Sequence, residues 1–276
     1  MKTIINIFSG LLLFFFGCGD TINNNSFSPP VYNEILTVNL PDSYLIKLYT
    51  AGYDSLTFAY NEVYFRVWQN STEQTGGYIK VFPKMRMTVH ITHSTPVSDS
   101  FSYNNLTGYY SGYIIFNMPT TPPNLVWKTK FTFIDNNGTG HETDSVPIYI
   151  SYHPEKQLKV FYDIYDTTNY TLTLVKPFNT SSGLNDLVLL LHKTNDYQLE
   201  FDQIKDAFMH ISVYKQDSLF QTTGNIEPVI DNDGYYKGKI NLPHKGLWMV
   251  GDTIIYNGRV ITNNPPPLPK FNFEVE

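Results

Sequence analysis

The chain has 276 residues, of which 42% are apolar and only 16% charged, and its net charge is −6 at neutral pH. At about 150 residues per domain this is length for two domains, and the Asn, Thr, Ser and Tyr that replace the missing charges suit the half-buried strands of exported all-β proteins. A negative mean field repels a phosphate backbone, so no nucleic acid is expected as a partner. A single cysteine excludes an internal disulfide.

The N-terminus carries the clearest short signal. Lys2 precedes an apolar run from Ile4 to Phe16, the layout of a secretory signal peptide. A helix needs about 20 residues to cross the ~30 Å hydrocarbon layer, so the run is too short for a comfortable span. It ends in Phe15-Phe16-Gly17-Cys18, which resembles a bacterial lipobox, although Phe replaces the usual Leu and small residue before the glycine. The resemblance implies a signal peptide over residues 1–17, lipid attachment at Cys18, a membrane as partner through that anchor, and a place in the cell envelope, periplasmic or on the outer surface. Residues 18–34, with Gly19-Asp20-Thr21-Ile22-Asn23 and then Pro29-Pro30, are polar and unpatterned, as expected of a flexible tether.

Beyond the tether the hydrophobic period is two. Strands are expected at Tyr44–Tyr49, Ser55–Ala59, Met85–His93, Tyr113–Asn117, Lys128–Ile134 and Val146–Ile150. The second half continues with Tyr170–Val175, Asp186–His192, Met209–Tyr214, Tyr236–Leu242, Met249–Tyr256 and Phe271–Val275, separated by Gly, Pro and Asn turns. Only Glu200 to Phe208 could form a short helix, and the stretch reads as easily as a loop. Regular short strands of this kind predict an all-β fold of two tandem immunoglobulin-like antiparallel β-sandwiches.

An internal repeat supports that reading. Gly108-Tyr109-Tyr110-Ser111-Gly112 matches Gly234-Tyr235-Tyr236-Lys237-Gly238, and each is followed by a strand, a Pro-containing turn and a Trp, Trp127 or Trp248. Upstream, Gly52-Tyr53-Asp54-Ser55-Leu56 is aligned with Gly183-Leu184-Asn185-Asp186-Leu187. The boundary is placed at His153 to Lys156, giving sandwiches over residues 35–153 and 157–276. The repeated glycines suit tight turns or close approach, and the tryptophans suit core positions.

The Gly-Tyr-Tyr-x-Gly strand, the Met or His near a Pro and the Trp-led final hairpin resemble the YtkA-like/FixH-like family of small exported β-sandwich domains, in both halves. The segment Met85-Arg86-Met87-Thr88-Val89-His90-Ile91-Thr92-His93 is similar to the Met- and His-bearing strand of that family, while Met209-His210 keeps one residue of each type. The resemblance implies copper handling for some members. Thioether and imidazole suit Cu(I) and Cu(II), so the candidate metal residues are Met85, Met87, His90, His93 and Met118, with His244 at the position aligned with Met118. On a regular strand Met85, Met87 and His93 face one side and His90 the other, and joint ligation needs a bulge or a turn at Ser94 to Pro96. The alternative is core packing for the methionines and hydrogen bonding for the histidines.

No nucleophile elbow, zincin motif, phosphate loop or dinucleotide fingerprint is present. Glu62, Asp163, Asp166 and Glu200 have no acid/base spacing, and Asp231-Asn232-Asp233-Gly234 reads as a β-turn rather than a calcium loop. No enzyme is expected. Two readings remain: a non-enzymatic envelope module that binds a protein or surface ligand through its loops and exposed aromatics, or a lipoprotein handling copper through the first sandwich.

Overall fold

The computed structural model describes residues 32–194, 199–218, 220–262 and 268–276. The signal peptide, Cys18 and the tether up to residue 31 lie outside the described residues. Among those described there is no helix, hence none long and apolar enough to cross a membrane.

The first half contains β1 (Tyr32–Asn39), β2 (Tyr44–Ala51), β3 (Leu56–Thr57), β4 (Ala59–Gln69), β5 (Thr72–Gln74), β6 (Tyr78–Arg86) and β7 (Thr92–His93). It continues with β8 (Phe101–Asn104), β9 (Tyr109–Phe116), β10 (Trp127–Ile134), β11 (Gly140–Glu142), β12 (Val146–Ile148) and β13 (Ile150–Ser151). The second half contains β14 (Leu158–Asp163), β15 (Thr168–Lys176), β16 (Gly183–Thr194), β17 (Phe201–Gln203) and β18 (Phe208–Lys215). It ends with β19 (Ile226–Ile230), β20 (Tyr236–Leu242), β21 (Gly246–Tyr256), β22 (Arg259–Val260) and β23 (Lys270–Val275). Three expectations are corrected. Tyr32 to Glu34 belong to β1 rather than to the tether, because they pair with Tyr49 to Ala51 of β2 and the Tyr32 ring packs on Tyr64 and Tyr109. Phe201–Gln203 is a strand that pairs with β16, not the start of a helix. The stretch Met85–His93 is a hairpin, not one strand, because β6 ends at Arg86.

The strand order is the same in both halves. One layer runs β1-β2-β4-β9-β8 in the first and β14-β15-β16-β20-β19 in the second, and the other layer is built on β6-β10 and on β18-β21. Period-two burial puts Ile46, Val63, Phe65, Val67, Tyr110, Phe131 and Trp127 into one hydrophobic cluster. Leu172, Leu187, Leu189, Leu191, Tyr236, Val250 and Trp248 form another. Each sandwich thus buries its own core, without disulfide or helix.

The repeated residues explain how. Gly108 and Gly234 sit at φ of 75° and 84°, a left-handed turn that glycine adopts without a Cβ penalty. The Tyr110 hydroxyl donates to Gly76 O at 2.6 Å, and that of Tyr236 donates to Ile204 O at 3.1 Å. Each buried phenol therefore pins the loop crossing between layers. A Cβ on Gly238 would lie 2.4 Å from Ile226 O, so a side chain there would push β19 away. Trp127 Nε1 donates to Met118 O at 3.0 Å, and Trp248 Nε1 to His244 O at 2.8 Å. A fourth pair corrects the alignment of Gly52 with Gly183. The Asn61 side-chain amide donates to Thr57 O and Ala59 O, and that of Asn185 donates to Ser181 O and Gly183 O. Asn61 faces Ile114 as Asn185 faces Ile240. Gly183 therefore corresponds to Ala59, which also has positive φ, and not to Gly52.

A third cluster joins the sandwiches. Tyr60, Tyr113 and Ile115 from β4 and β9 pack on Leu158, Val175 and Leu190 from β14, β15 and β16. Across this joint the Tyr60 and Tyr235 hydroxyls are 3.1 Å apart, and the Tyr113 hydroxyl lies 2.9 Å from His192 Nε2. Burial pushes the His192 imidazole down to about 3, so it is neutral there. In the connection, the Lys156 ammonium donates to Tyr60 O at 2.8 Å and lies over the rings of Tyr53 and Phe178. Burial lowers its pKa to about 8.

Candidate functional site

The candidate metal residues do not form one open ligand set. After Arg86 the Thr88 hydroxyl accepts the N–H of His90 and of Ile91, and this turn folds the chain back so that Met85 faces His93 across β6 and β7. The turn lies at residues 87–91, ahead of the Ser94 to Pro96 position expected for it, because Thr88 supplies the local acceptor. Met85 is fully buried in the core, and Met87 and Met118 are partly buried against it. His90 is exposed at the hairpin tip, and His244 is exposed in the second sandwich, beside Phe220. What the aligned Met118 and His244 share is a main-chain carbonyl held by a tryptophan. His93 is buried, its Nδ1 lies 3.0 Å from Ser94 O, its ring meets Trp127 edge-on, and its Nε2 has no hydrogen-bond partner. Burial, partly offset by Ser94 O, holds its pKa below the usual imidazole value. Among the described residues no three His, Cys, Asp or Glu side chains converge on a metal-sized space.

Of the carboxylates without acid/base spacing, Asp163 and Asp166 are held by Arg259, with Asp163 2.6 Å from its Nη1. Asp231 and Asp233 flank a tight turn in which Gly234 N donates to Asp231 O, and both carboxylates receive the Lys237 ammonium.

The densest set of recognition side chains lies elsewhere, on the outer face of the first sandwich. There the antiparallel register places Leu45 opposite Trp68, Lys47 opposite Arg66 and Tyr49 opposite Tyr64, with Glu34 opposite Tyr49 on the flanking strand. Because successive residues of a strand point to opposite faces, the set Lys47, Tyr49, Tyr64, Arg66 and Trp68 all point away from the core. Tyr109 closes the group. Its ring lies 4.6 Å from that of Tyr32, 5.6 Å from Tyr49 and 5.9 Å from Tyr64. The Arg66 guanidinium sits 5.1 Å from the Trp68 ring centre and 5.8 Å from that of Tyr109, within the range of cation–π attraction.

This face is held in place from its rim. Arg66 donates through Nε and Nη2 to the two oxygens of Glu73, at 2.5 and 2.6 Å, and Lys47 donates to Glu34 at 2.8 Å. Such partly exposed pairs contribute little to stability; they hold Lys47 and Arg66 at the edge of the rings. Burial first, and then the Glu62 carboxylate, push the Tyr64 phenol well up, so it stays a neutral hydroxyl. Beside Trp68 a hollow of ≈ 690 Å³ opens, lined by Asn39, Ser43, Lys47, Asn70 and Ser71 among others. Aromatic surface next to amide and hydroxyl groups can bind a polar partner by stacking and hydrogen bonding.

No protein-family model matches the chain, and no curated protein matches it. Among solved structures, FdeC, an Escherichia coli adhesin, aligns at 12% identity over 87% of this chain and 66% of its own, with a TM-score of 0.25. The titin I-band fragment I67–I69 aligns at 8% identity over 90% of this chain and 65% of its own, with a TM-score of 0.21. A chimeric titin Z1Z2 gives 9% identity, coverages of 89% and 95%, and a TM-score of 0.19. The chain spans a little under two thirds of the length of the first two.

Proposed function

We propose that the chain is a non-enzymatic binding module of the cell envelope, tethered to a membrane through Cys18, and that its recognition surface is the aromatic face of the first sandwich. The observation that supports this most is the convergence of Tyr32, Tyr49, Tyr64, Trp68 and Tyr109 with Arg66 on one outward sheet face. Tyr32, Tyr49, Trp68 and Tyr109 are only partly buried there while Tyr64 is buried among them, and Tyr, Trp and Arg are the residues that dominate binding hot spots. The partner is an envelope protein or a polar surface ligand that stacks on Trp68 and Tyr109 and hydrogen-bonds to the rim. Binding of the fluorescently labelled chain to isolated envelope material tests this. A Trp68→Ala, Tyr109→Ala double variant, checked for unchanged circular dichroism, is expected to bind at least about tenfold more weakly, since loss of one hot-spot residue costs 2 kcal/mol or more. Undiminished binding would remove the aromatic face from the account.

A second reading has one observation in its favour. His93 Nε2 is buried without a partner, across from Met85 and beside Trp127. Imidazole nitrogen and thioether sulfur fit copper, and under this reading His93, Met85, Met87 and Met118 would hold it. Titration with Cu(I) decides: submicromolar binding lost in a Met85, Met87, Met118 triple variant favours copper handling, and absence of binding ends it.

A further inference from the structure

Among the described residues, the edge strand β14 of the second sandwich is more regular than its counterpart in the first. In the first sandwich the corresponding edge strand, β1, is interrupted by a bulge between Glu34 and Leu36, and its exposed positions are Glu34, Thr37 and Asn39. Bulges and charges of this kind are how edge strands avoid pairing with other chains. By contrast, β14 runs in unbroken register with β15 from Leu158 to Asp163. Its exposed side chains are Val160 and Tyr162, followed by Ile164 and Tyr165.

The main chain of β14 is equally open. Leu174 N donates to Gln157 O at 3.0 Å. In an antiparallel pair every second residue bonds across, so Gln157, Lys159, Phe161 and Asp163 bond toward β15. The N–H and C=O groups of Val160 and Tyr162 therefore point to the free side. They face a groove of ≈ 690 Å³ that is also lined by Lys270 and Asn272 of β23, an edge strand of the facing sheet, and by Met249, Leu268 and Pro269. At one end the Gln157 side chain bridges from this edge to the main chain of β23 and closes the groove there. Its Nε2 donates to Asn272 O at 2.5 Å, and its Oε1 accepts from Asn272 N at 2.9 Å.

Charge selects among possible occupants. The groove is lined by Lys159 and Lys270 and by no carboxylate, in a chain whose net charge is −6. Among the described residues neither lysine has an ion-pair partner; Lys159 lies over Phe271 and Lys270 over Tyr214. Burial with no compensating anion also lowers the pKa of Lys159.

We propose that β14 is a docking edge that takes an extended partner peptide, apolar on alternate residues and bearing carboxylates for Lys159 and Lys270, as an added strand of the second sandwich. Main-chain pairing with Val160 and Tyr162 supplies affinity, and the apolar floor and the two ammonium groups supply selection. This surface is distinct from the aromatic face, so either can fail alone.

The test uses the full chain in mild detergent and a fluorescein-labelled synthetic peptide, Thr-Val-Glu-Val-Thr-Val-Glu, followed by anisotropy. Three comparisons are decisive: the same peptide with alternate backbone nitrogens methylated, a Lys-for-Glu peptide, and the chain variants Val160→Lys and Lys159→Glu/Lys270→Glu. Saturable binding that falls at least about tenfold with each of the three, and that survives Trp68→Ala, supports strand addition here. Val160 is exposed, so Val160→Lys leaves folding intact, and an unchanged melting temperature confirms it. Binding indifferent to N-methylation overturns the pairing mode, and binding indifferent to charge reversal overturns the partner chemistry. Concentration-dependent dimerisation abolished by Val160→Lys, without peptide binding, assigns the edge to a second copy and overturns the proposal.

Discussion

The two sandwiches share a strand order, a Tyr-pinned crossover and a Trp capped by a carbonyl, yet close their layers differently. In the first, β6 pairs with β8 through Tyr78–Ser102 and Ile79–Phe101, making one sheet that turns the corner, and the rings of Phe65, Phe101 and Phe131 meet behind it. In the second, β18 and β19 do not pair; instead the Glu227 carboxylate accepts the N–H of Ile211 at 2.7 Å. Four residues beyond the tryptophan, Phe131 is replaced by Asp252, which is wholly buried with neither oxygen hydrogen-bonded. Burial and the neighbouring Glu227 push its pKa well above the usual carboxylate value. The contrast teaches that the common scaffold is set by a few pinning residues. The rest of the core can then drift, until a position that holds Phe131 in one copy holds a neutral acid in the other.

The largest effect should fall where the copies agree. Trp127→Ala and Trp248→Ala each remove a fully buried indole and should each cost about 3–5 kcal/mol, read as loss of the respective sandwich in urea unfolding. A large cost in one only would break the equivalence. Asn61 also accepts from Thr57 N and Oγ1 and reaches Ile114 O, whereas the Asn185 oxygen accepts from Ser181 N alone. Asn61→Ala should therefore cost about 3 kcal/mol and Asn185→Ala about 2, because more buried backbone is orphaned in the first.

The joint has its own pH signature. His192 has a folded pKa of about 3 against about 6.5 unfolded. The unfolded chain binds the extra proton between these values, so stability is full above about pH 6.5 and falls with acid, by about 2 kcal/mol from pH 7 to pH 5. His192→Gln should flatten that slope in melts taken across the window. Asp252 works with the opposite sign, since its folded pKa is raised: its stabilising contribution is present in acid and lost as pH rises. Asp252→Leu should stabilise the second sandwich most at pH 7, where the fold must keep the acid protonated, and the gain should shrink toward pH 4 to about 1–2 kcal/mol, the cost of one unsatisfied buried polar group. A variant as unstable at pH 7 as the parent would show that Asp252 has a partner in solution.

Much of the fold was legible because it is local. Alternation along Tyr44–Tyr49 or Met209–Tyr214 announces a strand with one buried face, and Gly-Tyr-Tyr-x-Gly announces a turn into another. What escaped depends on three-dimensional neighbours. The asparagine pins were hidden by an alignment on glycine, although Ala59-Tyr60-Asn61-Glu62-Val63 beside Gly183-Leu184-Asn185-Asp186-Leu187 carries the signal. The hairpin at Thr88 was missed because Met87 to Ile91 keeps a strand-like composition while the hydroxyl offers a turn. The aromatic face draws Tyr32, Tyr49, Tyr64, Trp68 and Tyr109 from four strands, so no window of sequence contains it. The open edge of β14 is a property of which strand ends the sheet, and composition alone does not record that.

The joint at Tyr60, Tyr113 and His192 also has a mechanical meaning. Because it is built from sheet residues of β4, β9, β14, β15 and β16 instead of a thin connector, it keeps the two sandwiches at a set spacing. A partner gripping both sandwiches would gain from two anchorage points already set at a fixed spacing, and the second grip would form at a local concentration far above that of free solution.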